Sequence, residues 1–335
     1  MIIDKQNMRQ VIIDSPLQLK IGLDIAETIK VSGDFKNIIF CAIGGSALPI
    51  NVLNSIIKTT IPIYIHRDYG LPIWADKDSL IICISYSGNT EECLSSLKEA
   101  IDKNLKVIVV SSGGKFEELA KQNNIPFAKL PLGIQPRCAT GYIFSAITKI
   151  LINAGILKDI SFEILDLAGD LKNINLELEK EGKKIASKIT KKVPIVYSSN
   201  NFSTVARIWK IKFNENSKIP AFFNYFPELN HNEMVGFTMK NPKFKTQISK
   251  LLSVIILRDQ ADHPRILKRM QLTTKLISKT GIKTNFVEIK KGSLMFKVFS
   301  TLLLGDWVSY FVALNQKIDP TPVKMVEDFK KQMSK

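Results

Sequence analysis

The chain is poor in the residues on which metal, redox and nucleophilic chemistry depend. It has three histidines and four cysteines in 335 residues. Cys41, Cys83, Cys93 and Cys138 show no C-x-x-C spacing, which argues against a zinc set or a disulfide framework. Cys41 and Cys83 sit inside apolar runs, so the cysteines read as buried free thiols of a reducing compartment. His66 and His263 read as structural, one hydrogen-bonded after a strand and one capping a D-H-P-R turn. No H-x-x-x-H pair starts a metal site. No G-x-S-x-G marks a serine nucleophile, and no strand runs into G-x-G-x-x-G, so a dinucleotide fingerprint is missing too.

Arginine is also scarce, confined to Arg9, Arg67, Arg137, Arg207, Arg258, Arg265 and Arg269. The formal charge of +16 is therefore mostly lysine, scattered along the chain. A nucleic-acid surface shows clustered Arg and Lys with a recognisable motif; this pattern predicts a solvated surface that attracts anionic substrates instead. The N-terminus, MIIDKQNMRQVIID, carries charges where a signal peptide needs an apolar core. The most apolar late stretch, residues 294–314, contains Lys297 and Asp306 and reads as a core helix, not a membrane span. The expectation is a cytoplasmic protein with neither a nucleic-acid nor a membrane partner.

What is present is a set of buried strands that end in small polar turns. Residues 80–84, LIICI, read as a strand covered on both faces. It stops at Ser85-Tyr86-Ser87-Gly88-Asn89-Thr90, and a helix begins with Glu91 and Glu92. Hydroxyls and open backbone N–H groups at a helix N-terminus suit phosphate. A serine-rich turn with an ordinary cap is the plain alternative. The three hydroxyls here, and a second turn upstream, favour the anion. That second turn follows the strand 37–43, NIIFCAI, and reads Gly44-Gly45-Ser46-Ala47. Glycines there let the backbone approach a ligand closely.

Strands at 61–66, 106–110 and 127–130 alternate with helices, which predicts a doubly wound parallel sheet. Its ligands would sit at the strands' carboxyl ends, where both turns fall. A polar helical stretch near 159–192 follows. Strands at 193–197, 251–257 and 284–289 and a long apolar helix then repeat the pattern. The expected organisation is an N-terminal domain over 1–158, a linker helix over 159–192 and a C-terminal domain over 193–335.

The densest polar cluster is FNENSKIPAFFNYFPELNHNE, residues 213–233. Glu215, Glu228, His231 and Glu233 lie there among aromatics. An acid and a histidine in such surroundings suit proton transfer, since partial burial tunes both toward neutrality. Metal binding by His231 and Glu233 is the rival, without further ligands in ligand spacing to support it.

IGGSA at 43–47, SYSGNTEE at 85–92, the NENSK…ELNHNE segment and the DPTPVK tail together resemble the archaeal-type bifunctional phosphoglucose/phosphomannose isomerases. These are built from two sugar-isomerase (SIS) domains, and the similarity runs over nearly the whole chain. The resemblance implies an α/β fold of two SIS domains, each a doubly wound, mostly parallel sheet flanked by helices. It places the substrate phosphate on Gly45, Ser46, Ser85, Ser87 and Thr90, and Arg137 near the reacting part of the sugar. It makes Glu215 the base that moves a proton between C1 and C2. His231 would help open the sugar ring, donated across a homodimer interface. A tail lysine would assist, with Lys330 fitting best and Lys331 second.

The implied reaction interconverts glucose 6-phosphate and mannose 6-phosphate with fructose 6-phosphate through a cis-enediolate. It requires no metal and no organic cofactor. Two alternatives stand beside it: a non-catalytic SIS sugar-phosphate sensor, and an SIS isomerase for another phosphosugar. Sensors of the first kind usually carry a DNA-binding helix-turn-helix, for which the chain has no spare length. An amidotransferase would want an N-terminal catalytic-cysteine domain.

Overall fold

The computed structural model describes residues 2–333. The chain divides into two compact units, Ile13–Lys172 and Met1–Ile12 with Asn173–Lys335. Each is built on its own parallel sheet.

The Ile13–Lys172 unit holds five strands: β1 (Asn37–Cys41), β2 (Ile63–His66), β3 (Ser79–Ile84), β4 (Lys106–Ser111) and β5 (Phe127–Lys129). Their order is β2-β1-β3-β4-β5, and every pairing is parallel. The central strand β3 is buried along its whole length. Such a strand needs apolar side chains on both faces, which is why it reads as an unbroken run of Leu, Ile and Cys. One face packs Ile39, Ile81 and Val109 against Leu97, Ala100 and Phe116 of two crossover helices, Glu91–Asp102 and Gly114–Gln122. Cys41 and Cys83 are register partners on β1 and β3. Both are buried, as is Cys93, whose thiol burial pushes up to about 12. Cys138 differs from the expectation: it is free but only half-buried.

The other unit holds β6 (Val193–Ser199), β7 (Phe222–Phe226), β8 (Leu252–Arg258) and β9 (Lys283–Glu288) in the order β7-β6-β8-β9, again all parallel. The Leu294–Asn315 helix is long and apolar enough to cross a membrane, but 78% of its most apolar window is buried. It packs on the Ser203–Glu215 helix, where the Trp209 indole donates to the Thr301 carbonyl at 2.8 Å. Beside that contact lies a buried ion pair, Lys212 with Asp306 at 2.5 Å.

Several boundaries move from expectation. Where the sequence suggests one entry helix over about 14–30, the structure has two helices, Met8–Asp14 and Leu17–Ala26, separated at Ser15-Pro16. The glycine turn after β1 is a 3-10 turn, Gly44–Ala47. The segment 213–233 contains an edge strand, β7, that was not among the expected elements. A helix over Pro242–Leu251, with no fully buried residue, was not among the expected elements.

Candidate active site

In the Ile13–Lys172 unit three loops meet at the carboxyl ends of β1, β3 and β4. The 43–47 and 85–90 loops are joined by a hydrogen bond from the Tyr86 N–H to Ser46 Oγ, 3.0 Å. Tyr86 also donates through its hydroxyl to the Pro131 carbonyl at 2.7 Å. Its carbonyl accepts from the Ser112 N–H at 3.0 Å. A buried aromatic thus fixes the middle of the serine loop to the third loop.

Within the serine loop, Ser85 Oγ accepts from the Gly88 N–H at 3.1 Å and lies 2.8 Å from Thr90 Oγ1. Gly88 has φ +70°, and a Cβ there would stand 1.7 Å from the Gly113 carbonyl oxygen. Only glycine fits, both for the left-handed backbone and for the contact. Gly45 is similarly constrained, since its Cβ would lie 2.7 Å from the Arg137 amide nitrogen. The structure therefore brings Gly45, Ser46, Ser85, Ser87, Thr90 and the Arg137 backbone together on one set of interlocked loops.

These residues divide by exposure. Ser46 and Ser85 are buried, Thr90 is half-buried and Ser87 is exposed. Ser46 Oγ accepts a backbone N–H, and its hydroxyl can still donate. Thr90 occupies the N-cap of the Glu91–Asp102 helix but makes no side-chain capping bond. The ordinary-cap reading of this turn is not what the structure shows. Arg137 is fully buried in a short 3-10 turn, Pro136–Cys138. Gln18 clips the segment that follows, donating to the Cys138 carbonyl at 2.8 Å and accepting from the Gly141 N–H at 3.1 Å.

In the other unit Glu215 is the last residue of the Ser203–Glu215 helix and is half-buried. The two residues after it are anchored on the Leu294–Asn315 helix. Asn216 donates to Ser309 Oγ at 2.9 Å, and Ser217 Oγ donates to the Ser309 carbonyl at 2.7 Å. Lys218 reaches back to the Glu215 carbonyl and on to that of Pro320 in the DPTPVK tail, 2.9 Å away. The backbone that carries the carboxylate is thus held on three sides.

His231 ends the 3-10 turn Glu228–Asn230 with its imidazole exposed. Glu233 is half-buried and accepts from the Tyr197 hydroxyl and from Asn224 Nδ2. Both of its oxygens are engaged. Lys330 is exposed on the Lys324–Met333 helix. His263 caps the Pro264–Ser278 helix, its Nδ1 accepting from the Arg265 N–H at 3.1 Å.

Against known proteins, residues 178–333 match the bacterial phospho-glucose isomerase C-terminal SIS domain. The chain is 36% identical to a bifunctional phosphoglucose/phosphomannose isomerase of Aquifex aeolicus, over 90% of this chain and 91% of that one. With the enzyme of the same name from Caldicellulosiruptor bescii it shares 34% identity over 94% of each. The chain belongs to the bifunctional phosphoglucose/phosphomannose isomerase family. Another relative, a D-glucosamine-6-phosphate 4-epimerase of Sulfolobus acidocaldarius, is 32% identical over 68% of this chain and 70% of that one. Among solved structures, a hypothetical protein of Thermus thermophilus superposes with a TM-score of 0.72. It covers 96% of this chain and 89% of that one at 13% identity, a likeness of fold alone. The fold is therefore shared beyond recognisable sequence.

Proposed function

We propose that the chain interconverts glucose 6-phosphate and mannose 6-phosphate with fructose 6-phosphate. The observation that carries this reading is the loop set joined by Ser46 and Tyr86 beside a helix N-terminus without a side-chain cap. Family membership supports it.

In this reading the substrate phosphate is held by Gly45, Ser46, Ser85, Ser87 and Thr90. Donors fixed in advance lose little freedom on binding, and the helix end adds a positive field. His231 and Lys330 assist opening of the sugar ring, His231 across a homodimer interface. Glu215 then removes the C2 proton of the aldose while the C1 carbonyl becomes an enediolate oxygen. The hydroxyl proton on O2 passes to O1, and the same carboxyl returns the carbon-bound proton to C1, leaving the ketose with its carbonyl at C2. The Arg137 guanidinium offsets the charge that develops on the oxygens. Mannose 6-phosphate enters the same enediolate by loss of its C2 proton from the opposite face.

A coupled assay tests this. Wild-type protein is expected to turn over both aldose phosphates, undiminished in EDTA. Glu215→Gln is expected to lower kcat by about a thousandfold or more while substrate still binds. Activity retained in that variant overturns the role of Glu215. The relative named as an amino-sugar epimerase motivates a second reading, an amino-sugar phosphate as substrate. A substrate panel separates the two: turnover of glucosamine 6-phosphate without turnover of glucose 6-phosphate supports the second.

A further inference from the structure

The loop that carries His231 is pinned on both sides of it. Glu228 accepts from Asn232 Nδ2 at 2.8 Å, and Leu229 is buried in the core. Asn230 donates to Thr273 Oγ1 at 2.9 Å and accepts from Arg269 at 3.2 Å. Asn232 accepts from the Glu233 N–H at 2.6 Å. Glu233 accepts from Tyr197 and Asn224. Of the polar side chains from Glu228 to Glu233, among the described residues, that of His231 alone shows no hydrogen bond. Its backbone N–H is already bonded to the Glu228 carbonyl at 3.0 Å.

The two donors to Glu233 are not independent. Tyr197 on β6 and Asn224 on β7 are register partners on neighbouring parallel strands. Tyr197 is fully buried. Burial, and then the Glu233 carboxylate, push its phenol far above its ordinary value, so it stays a donor. A carboxylate has an acceptor oxygen for each donor. The span from that clamp to the imidazole is two residues.

We infer that Glu233 is a positioning residue for the reaction, its carboxylate locking the His231 loop onto the side-by-side Tyr197–Asn224 pair. This rests on the proposed role of His231. Glutamine is the conservative variant: its carbonyl can accept from Tyr197, and its NH2 can face Asn224 if that amide turns over.

A double-mutant cycle tests the inference. Glu233→Ala is expected to lower kcat by about tenfold to a hundredfold with KM within about twofold of wild type. In a His231→Ala background the same change is expected to cost less than about twofold more. Glu233→Gln is expected to recover most of the loss. Tyr197→Phe, which deletes one donor and keeps the core filled, serves if Glu233→Ala does not fold, and is expected to lower kcat by about threefold to tenfold. A loss that persists undiminished in the His231→Ala background, or that falls on KM, overturns the role of Glu233 alone. Full activity of His231→Ala overturns the reading of His231 and this inference with it.

Discussion

The two sheets share a strand order and diverge at their carboxyl ends. After β1 and β3 the chain runs into Gly44–Ala47 and the 85–90 loop, which carry glycines and hydroxyls and no carboxylate. After β6 and β8, the corresponding strands of the second sheet, it runs into Asn200–Phe202 and a loop with Asp259 and Asp262. Asp259 is held by Lys297 at 2.7 Å, with both side chains largely buried. Asp262 lies beside Asn201 at 3.5 Å. Burial, and then the nearby Asp259, raise its carboxyl above the ordinary carboxylate range despite opposing hydrogen bonds. The helix that follows is already capped by His263, whereas the helix after the 85–90 loop has no side-chain cap.

A phosphate that found the second crevice would therefore meet two acidic residues and a lysine already spoken for. Duplication of topology has not duplicated the glycine- and hydroxyl-rich turns. Topology decides where a crevice forms; the residues of two short turns decide what it accepts. The second unit instead carries the proposed proton-transfer groups, Glu215 and His231.

The sharpest break in that contrast is Gly88→Ala. The new Cβ meets a backbone oxygen that cannot move aside cheaply, and φ is positive. The expected cost is about 4 kcal/mol of stability, read by chemical denaturation, with phosphosugar binding lost in whatever folds. Lys297→Met comes next. Removing one partner of a largely buried pair leaves Asp259 uncompensated, for about 3 kcal/mol. KM is expected to stay unchanged, because the second crevice holds no substrate in this account.

A smaller effect compares like with like. Ser46→Ala is expected to raise KM about tenfold through loss of a donor to a charged ligand. Ser199→Ala, at the corresponding turn of the second sheet, is expected to leave it within about twofold. Equal effects erase the distinction between the crevices. The smallest prediction concerns pH. Because the folded state raises the Asp262 pKa, that carboxyl costs nothing below its unfolded value, and the penalty grows as pH rises from there to the folded value and levels off above it. Asp262→Asn is expected to raise Tm by about 2–4 °C near pH 8, for a gain of about 1 kcal/mol, with the gain fading toward pH 4.

Much of the strand pattern was legible in the sequence alone. Residues 80–84 and 106–110 read as strands because burial on both faces demands uninterrupted apolar runs. β7, FFNYF, did not, because it is an edge strand whose burial alternates little and whose aromatics resemble a site lining. The Pro242–Leu251 helix has no fully buried residue; its apolar stripe is only Phe244, Ile248 and Leu251, of which Ile248 packs on the core, too short a signal to announce it. In the candidate site the residue types of both turns were readable. Their joining was not, since Ser46 and Tyr86 are forty residues apart and meet only when β1 and β3 pair. The same holds for Glu233. Its partners acquire meaning only once β6 and β7 are in register.

The most direct measurement is a crystal structure of Glu215→Gln with fructose 6-phosphate bound. The account predicts the phosphate on the 43–47 and 85–90 loops, within hydrogen-bonding distance of Ser46, Ser87 or Thr90, and no phosphate beside Asp262. A phosphate seated over Ser199 and Asp262, with the serine loop empty, contradicts it.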